Sequence, residues 1–178
     1  MDSLTTERLE LQPITRALVE AVIAEDRDGA EQLVGARFPR VWPGKTFVER
    51  AFACPLEKLR VDPEQWLWGA RVLVTRADAP AVVGSVILNG RPDDTGTVEV
   101  AYGVDEDMQG QGYATEGTAE VVRWALAQPG VARVVAVTFP WHAASVRVLE
   151  KLGMVQSGYR ETDMFGDLLM FERVRAHA

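Results

Sequence analysis

Gln109-Gly110-Gln111-Gly112-Tyr113-Ala114-Thr115 is the stretch whose reading decides the fold of this chain. It lies between an apolar run, residues 98–104, and a run with helical patterning, residues 115–127. A strand that feeds a glycine-rich turn that feeds a helix is a place to hold phosphate. The first backbone N–H groups of a helix have no partner inside it, and the helix dipole adds partial positive charge at the same end. Glycine lets an anion approach the main chain because no Cβ stands in the way. The backbone of residues 109–115 therefore reads as a cradle for a pyrophosphate.

Two ligand classes compete for that cradle. Gly110-x-Gly112-x-x-Thr115 is one residue short of the dinucleotide fingerprint, which wants Gly or Ala at the last position. The fingerprint also needs a carboxylate after the next strand to hold a ribose. Here residues 133–138 are followed by Phe139-Pro140-Trp141-His142, with no carboxylate among them. The same turn also reads Gln109-x-x-Gly112-x-Ala114, which resembles the Q/R-x-x-G-x-G/A pyrophosphate motif of the GCN5-related N-acetyltransferases, binders of acetyl-coenzyme A. His142-x-x-Ser145 and the following Leu149-Glu150-Lys151-Leu152-Gly153-Met154 resemble that family's next motif, N-x-x-S with a helix ending in "EKLGF". Thr6-Glu7-Arg8-Leu9-Glu10-Leu11-Gln12-Pro13 resembles the "TERLxLRP" opening of the branch related to the ribosomal-protein acetyltransferases of RimJ and RimL type. Glu99-Val100-Ala101-Tyr102 and Tyr113-Ala114-Thr115-Glu116 resemble that branch's "EIGY" and "GYATEA". These matches occur in the family's order and span nearly the whole chain.

Composition sets bounds on function. With 178 residues, 47% hydrophobic and 25% charged, the chain suits one soluble domain with a full core. It has no apolar run of about 18 residues. Its opening, Met1 to Glu7, lacks the basic-then-apolar order of a secretory signal. The single cysteine, Cys54, excludes an internal disulfide and fits a reducing cytoplasm. With no activating partner evident, it reads as an inert buried thiol. Two histidines and one cysteine do not make the usual zinc set, so no metal is expected. A net charge of −7 argues against a nucleic-acid partner. It suits a cationic amine or a basic protein tail, although acidity also serves solubility alone.

Patterning places the motifs. Residues 8–12 alternate as a strand ended by Pro13. Thr15 is an N-cap for a helix over 16–25, and residues 29–37 and 46–60 suggest two more helices. Strands over 66–75, 81–88 and 97–104, joined by short turns, predict an antiparallel meander. A helix over 115–127, a strand over 131–138 and a helix over 143–152 come next. A hairpin around Phe165-Gly166 then joins 156–162 to 167–174. The expected class is α/β (α+β): one domain over 1–178, with a mixed, mainly antiparallel central sheet and helices on both faces. The resemblance adds that residues 14–65 shape the acceptor side and 97–155 form the acetyl-coenzyme-A-binding core. A homodimer is compatible with exposed sheet edges and twofold pairing.

Acetyl transfer requires that the thioester be held and polarised, the ammonium deprotonated and the thiolate stabilised. The resemblance implies that acetyl-coenzyme A is held by Val104, Gln109, Gly110, Gln111, Gly112, Tyr113, Ala114, Thr115, His142 and Ser145. It also implies that the strand ending at Val104 splays from its neighbour, leaving main-chain N–H groups for the pantetheine and the thioester oxygen. Glu99 is the candidate base, directly or through water. The alternative is a strand glutamate facing solvent or paired with an arginine. Glu116, just past the phosphate turn, reads as structural. Many family members carry a thiolate-protonating tyrosine seven residues after the motif's asparagine; Leu149 stands there. Ser145 is the candidate replacement, or else it bonds only the pantetheine or the helix backbone. His142 stands where the asparagine would be and retains one donor. A His142–Ser145 hydrolase dyad lacks both a nucleophile elbow and an orienting third group. Trp42 and Trp141 are candidates for the acceptor cleft, Trp66 and Trp68 for the core. The function expected is N-acetylation of a primary amine on a small molecule or a protein N-terminus. The alternatives are a catalytically quiet acyl-coenzyme-A sensor and a transferase for another acyl group such as succinyl.

Overall fold

Apolar segments of strand length recur with short connections, and they pair neighbour to neighbour in the computed structural model, which describes residues 3–40, 61–162 and 166–176. In chain order the elements are β1 (Leu4–Thr5), β2 (Leu9–Pro13), α1 (Arg16–Ile23), α2 (Arg27–Val34), α3 (Pro63–Trp66), β3 (Arg71–Thr75), β4 (Val82–Leu88) and β5 (Thr97–Val104). A short 3₁₀ turn, Glu106–Met108, leads to α4 (Tyr113–Ala127), β6 (Arg133–Thr138), α5 (Ala143–Lys151), β7 (Val155–Arg160) and β8 (Leu168–Val174). The strands form one eight-stranded sheet in the order β1-β2-β3-β4-β5-β6-β8-β7. Every pairing is antiparallel except β5 with β6, which the α4 crossover makes parallel. The mixed, mainly antiparallel sheet is the architecture expected from sequence.

Strand alternation divides the core into two layers. Leu73, Val86, Leu88, Val98, Val100 and Tyr102 face one cluster, which Val121, Val122 and Ala125 of α4 and Leu149 of α5 complete. Val72, Val74, Val82 and Ile87 face the other, beneath Leu18, Val19 and Val22 of α1 and Ala30 and Val34 of α2. β4 is covered on both faces along its whole length. The helices are fixed by local chemistry. Thr15 caps α1 by accepting the Leu18 N–H at 3.2 Å, and Asp26 caps α2 by accepting the Gly29 N–H at 2.9 Å.

The structure corrects the sequence reading in places. Residues 66–70 are not strand. Asp62 Oδ1 accepts the Gln65 N–H at 2.9 Å, which starts the α3 turn, and Gly69 at φ +72° redirects the chain into β3. Trp68 is buried at that corner against Trp124, with ring centroids 5.0 Å apart. β1 was not expected; it pairs Leu4 with Leu11 and Thr5 with Glu10. The helix proposed over 46–60, Trp42, Cys54 and Phe165 lie outside the described residues.

An irregularity in β4 lies against the end of β5. Val86 and Leu88 face the first cluster, so alternation would turn Val83 towards the second, yet Val83 also lies in the first. The register slips at the same place: Leu73 pairs with Gly84, but Val74 pairs with Val82. β4 thus carries an extra residue, and such a bulge sharpens the local twist. Gly84 sits beside it against the end of β5. A Cβ there would lie 2.1 Å from the Gly103 carbonyl oxygen and 2.9 Å from Val104 Cα.

The N-terminal strands are tied to α4 through Glu116. Thr6 Oγ1 and the Arg8 main-chain N–H donate to its Oε1 at 2.6 and 2.9 Å, and Arg8 Nε donates to its Oε2 at 2.7 Å. Burial pushes the Glu116 carboxyl up, but these hydrogen bonds and the Arg8 charge outweigh it and hold it below the ordinary value. A different cation, Arg71, is fully buried over the Trp124 ring, with Nη1 donating to the Ala70 carbonyl at 3.0 Å. Among the described residues its Nε and Nη2 have no hydrogen-bond partner, and burial lowers its pKa to about 10.

Two stability predictions come from these contacts. Gly84→Ala must displace main chain, so it is expected to lose about 2–3 kcal/mol in a urea melt. Gly153→Ala has open space and only an unfavourable φ of +67°, so it should lose roughly 1 kcal/mol. Equal losses would refute the steric explanation. Glu116→Gln should cost about 1–2 kcal/mol at neutral pH. Because the folded carboxyl titrates lower than the unfolded one, this contribution is present above the unfolded value of 4.5 and is lost as pH falls through the folded value. Melting midpoints of the two proteins should therefore converge as pH falls below 4.5 and through the lowered folded value, and a gap that stays constant on acidification would rule the ion pair out as the cause.

Candidate active site

β5 spends alternate main-chain groups on β4. The Glu99 carbonyl accepts the Asn89 N–H at 2.9 Å, and the Asp105 N–H donates to the Val83 carbonyl at 2.9 Å. Strand alternation therefore aims the main chain of the even-numbered residues at β6. The β5–β6 ladder has just three pairs, Thr97 with Arg133, Val98 with Val134 and Glu99 with Val135. Past Glu99 the strands share no ladder, and the main chain of Val104 faces the gap. Its carbonyl accepts Gln109 Nε2 at 3.1 Å, which fastens the glycine turn to the open end of the strand.

The turn is built to leave a helix end bare. Asp105 caps the 3₁₀ turn, and Gly110 and Gly112 then take the left-handed region at φ +74° and +86°. Gly112 is the N-cap of α4, and no side chain caps the helix. The Glu116 N–H makes the first intrahelical bond, to the Gly112 carbonyl at 3.0 Å. Among the described residues no side chain bonds the N–H groups of the first turn. Among the described residues, a Cβ at Gly110 would meet nothing within 4 Å, and one at Gly112 only Arg8 Nη2 at 3.4 Å. Behind the turn, Arg8 Nη1 donates to the Gln111 carbonyl at 3.0 Å, and its guanidinium lies 4.7 Å from the Tyr113 ring centroid. An uncapped helix N-terminus behind a glycine turn, braced from the rear by the Arg8–Glu116 pair, fits a diphosphate.

α5 borders the same gap from β6. His142 caps it, with Nδ1 accepting the Ser145 N–H at 3.2 Å, so the ring's remaining hydrogen is on Nε2. His142 stacks on Trp141, which stacks on Phe139. Trp141 is 74% exposed. Ser145, half-buried in the first turn of α5, has its Oγ 2.9 Å from the Tyr102 hydroxyl. The Tyr102 hydroxyl also lies 3.2 Å from the Ser145 carbonyl. Leu149 is fully buried in the core.

Glu99 lies at the base of the gap, on the face of β5 shared with Ala101, opposite α4 and α5. Both its oxygens are engaged: Oε1 accepts Asn89 Nδ2 at 3.2 Å, and Oε2 accepts Arg160 Nη2 at 2.7 Å. This is the arginine-paired arrangement that competed with the base reading. A base role requires Arg160 to yield that oxygen. Among the described residues no cluster of His, Cys, Asp or Glu is arranged to hold a metal ion, and no helix is long and apolar enough to cross a membrane.

The sequence reading missed Arg8, Tyr102 and Arg160 as site residues. Arg8 and Tyr102 stand inside segments that carried the family resemblance, but neither had a visible partner. Glu116 is 108 positions from Arg8, Ser145 is 43 from Tyr102, and Glu99 is 61 from Arg160.

Comparison with known proteins bears on this arrangement. The family model described as an acetyltransferase (GNAT) domain matches residues 8–155. A Bacillus subtilis (strain 168) protein described as the uncharacterized N-acetyltransferase YjdG is 28% identical over 153 residues, 85% of this chain and 89% of that one. The fold resembles a ribosomal-protein-S5-alanine acetyltransferase from Vibrio fischeri, with TM-score 0.67, 18% identity and coverage of 98% of this chain and 97% of that one. It also resembles the ribosomal L7/L12 alpha-N-protein acetyltransferase RimL in complex with coenzyme A, with TM-score 0.63, 16% identity and coverage of 97% and 98%. With the family model covering both the glycine turn and α5, the chain belongs to the GNAT acetyltransferase family.

Proposed function

We propose that this chain is an acetyl-coenzyme-A-dependent N-acetyltransferase that passes acetyl to a primary amine by direct attack in a ternary complex. The observation that carries the reading is the continuity of the unladdered end of β5 with the uncapped N-terminus of α4. The α4 turn would hold the diphosphate through Gln109, Gly110, Gln111, Gly112, Tyr113, Ala114 and Thr115, and Val104 would meet the pantetheine. His142 and Ser145 would border the thioester end. The bound coenzyme supplies the activated acetyl group.

The acceptor would approach from the opposite face of β5, where Glu99 lies. An incoming ammonium competes with Arg160 for Glu99 Oε2, and once that oxygen is free the carboxylate can take a proton directly or through water. The net charge of −7 favours encounter with a cationic acceptor. Two of the structural relatives are named for acting on ribosomal proteins, which supports a protein N-terminus as one acceptor class beside small amines. A second reading, a catalytically quiet acyl-coenzyme-A sensor, draws support from Leu149 in the tyrosine position and from the engaged Glu99 carboxylate.

Thiol release from acetyl-coenzyme A, measured with polyamines, amino acids and ribosomal-protein N-terminal peptides, separates the two. Sustained release above hydrolysis with at least one amine is expected, with Glu99→Gln lowering kcat about 100-fold. Stoichiometric binding without turnover on any amine would favour the sensor. Faster turnover with succinyl- than with acetyl-coenzyme A would reassign the acyl group.

A further inference from the structure

We propose that Tyr102 and Ser145 form a two-hydroxyl relay that delivers the proton to the departing thiolate, with Tyr102 the positioning residue and Ser145 the group that meets the sulfur. The proposal rests on the acetyltransferase reading. No residue of α5, Ala143–Lys151, is a tyrosine, and Leu149 is sealed in the core. A phenol reaches the helix from the other side of the gap instead. The side chain of Tyr102 faces the α4–α5 layer with its neighbours Val98 and Val100 and is 9% exposed. Its hydroxyl lies 2.9 Å from Ser145 Oγ. Ser145 is held in place by its own N–H, which donates to His142 Nδ1.

The chemistry explains why two hydroxyls work where one would not. A serine hydroxyl that gives up its proton alone becomes an alkoxide, a far stronger base than a thiolate. A tyrosine phenol is much the better acid. The Tyr102 proton has two acceptors on the same residue, Oγ at 2.9 Å and the carbonyl at 3.2 Å. When it points to Oγ, the serine hydrogen is released towards the gap. The amine nitrogen attacks the thioester carbonyl and a C–N bond forms. The C–S bond then breaks, with its electron pair going to sulfur. The Ser145 proton passes to sulfur as the Tyr102 proton passes to Oγ, leaving a phenolate. The proton lost by the acceptor nitrogen, carried by solvent, restores the phenol. One proton moves from nitrogen to sulfur overall, and nothing is oxidised or reduced.

The test uses Tyr102→Phe, Ser145→Ala, the double variant and the hydroxyl-preserving Ser145→Thr in the full chain. The first readout is calorimetric affinity for coenzyme A against desulfo-coenzyme A. The second is kcat and KM for thiol release from acetyl-coenzyme A, with hydroxylamine as acceptor. The wild type should prefer coenzyme A over its desulfo analogue. Tyr102→Phe and Ser145→Ala should each remove most of that preference and lower kcat about tenfold, the worth of one hydrogen bond to a charged group. KM should stay near its wild-type value, the double variant should be no worse than either single one, and Ser145→Thr should keep the preference. Tyr102→Phe with both readouts unchanged, or losses that add in the double variant, would overturn the relay and leave the transferase reading intact. A wild type that binds coenzyme A but releases no thiol with hydroxylamine or with any amine of the panel above would overturn the transferase reading, and the relay with it. Should Tyr102→Phe prove unstable, the contrast between Ser145→Ala and Ser145→Thr still decides whether a hydroxyl there senses the sulfur.

Discussion

The early parting of β5 from β6 is the constraint on which the rest of the site depends. Two parallel strands that stay paired consume each other's main-chain groups and leave a ligand nothing to bond. Here the ladder stops at Glu99 and Val135, while β5 runs on to Val104. A second irregularity lies on the other side of β5. β4 carries an extra residue near Val83, and Gly84, without a Cβ, lets the main chain of Gly103 and Val104 pack at a distance no side chain would allow. Past Glu99 the parting leaves the β6-facing main chain of β5 without a ladder partner, which is the edge proposed above for a pantetheine arm.

The same economy governs the phosphate turn. Its glycines leave the front of α4 bare, and a bare helix end would be loose without support. The support comes from behind, where Arg8 and Thr6 fix Glu116 and Arg8 holds the Gln111 carbonyl. Because Glu116 neutralises Arg8, the turn is stiffened without placing a free cation in front of the helix. The N–H groups and the dipole remain to meet the ligand. The family model begins at Arg8, so Arg8, Gln111 and Glu116 fall within the matched segment and Thr6 lies just before it.

The sequence made legible what is local. The turn at residues 109–115 is a contiguous run whose conformation comes from its glycines, and the strands over 81–88 and 97–104 come from apolar runs bounded by turn residues. Thr15 was recognisable as a cap because a cap acts on its own next turn. What failed was non-local or competed with a local signal. The apolar run at 66–70 looked like strand, but the Asp62 cap and Gly69 break it. The partners of Glu99, Ser145 and Glu116 could not be read, since each sits on an element joined to the site only through the sheet or the helix layer. The bulge was hidden as well, because Val82 and Val83 are both apolar and do not reveal where alternation slips.

Calorimetric titration of acetyl-coenzyme A into the wild type and Gly112→Glu tests the central claim most directly. A glutamate there brings bulk and negative charge to the uncapped helix end, at a φ of +86° and with its Cβ 3.4 Å from Arg8 Nη2, whereas the β5–β6 gap is left untouched. Binding to the wild type with a Kd of about 1 μM, abolished in a variant that still melts cooperatively, is the expected result. Equal binding to both proteins, or none to the wild type, would contradict the assignment of this turn and gap to the coenzyme.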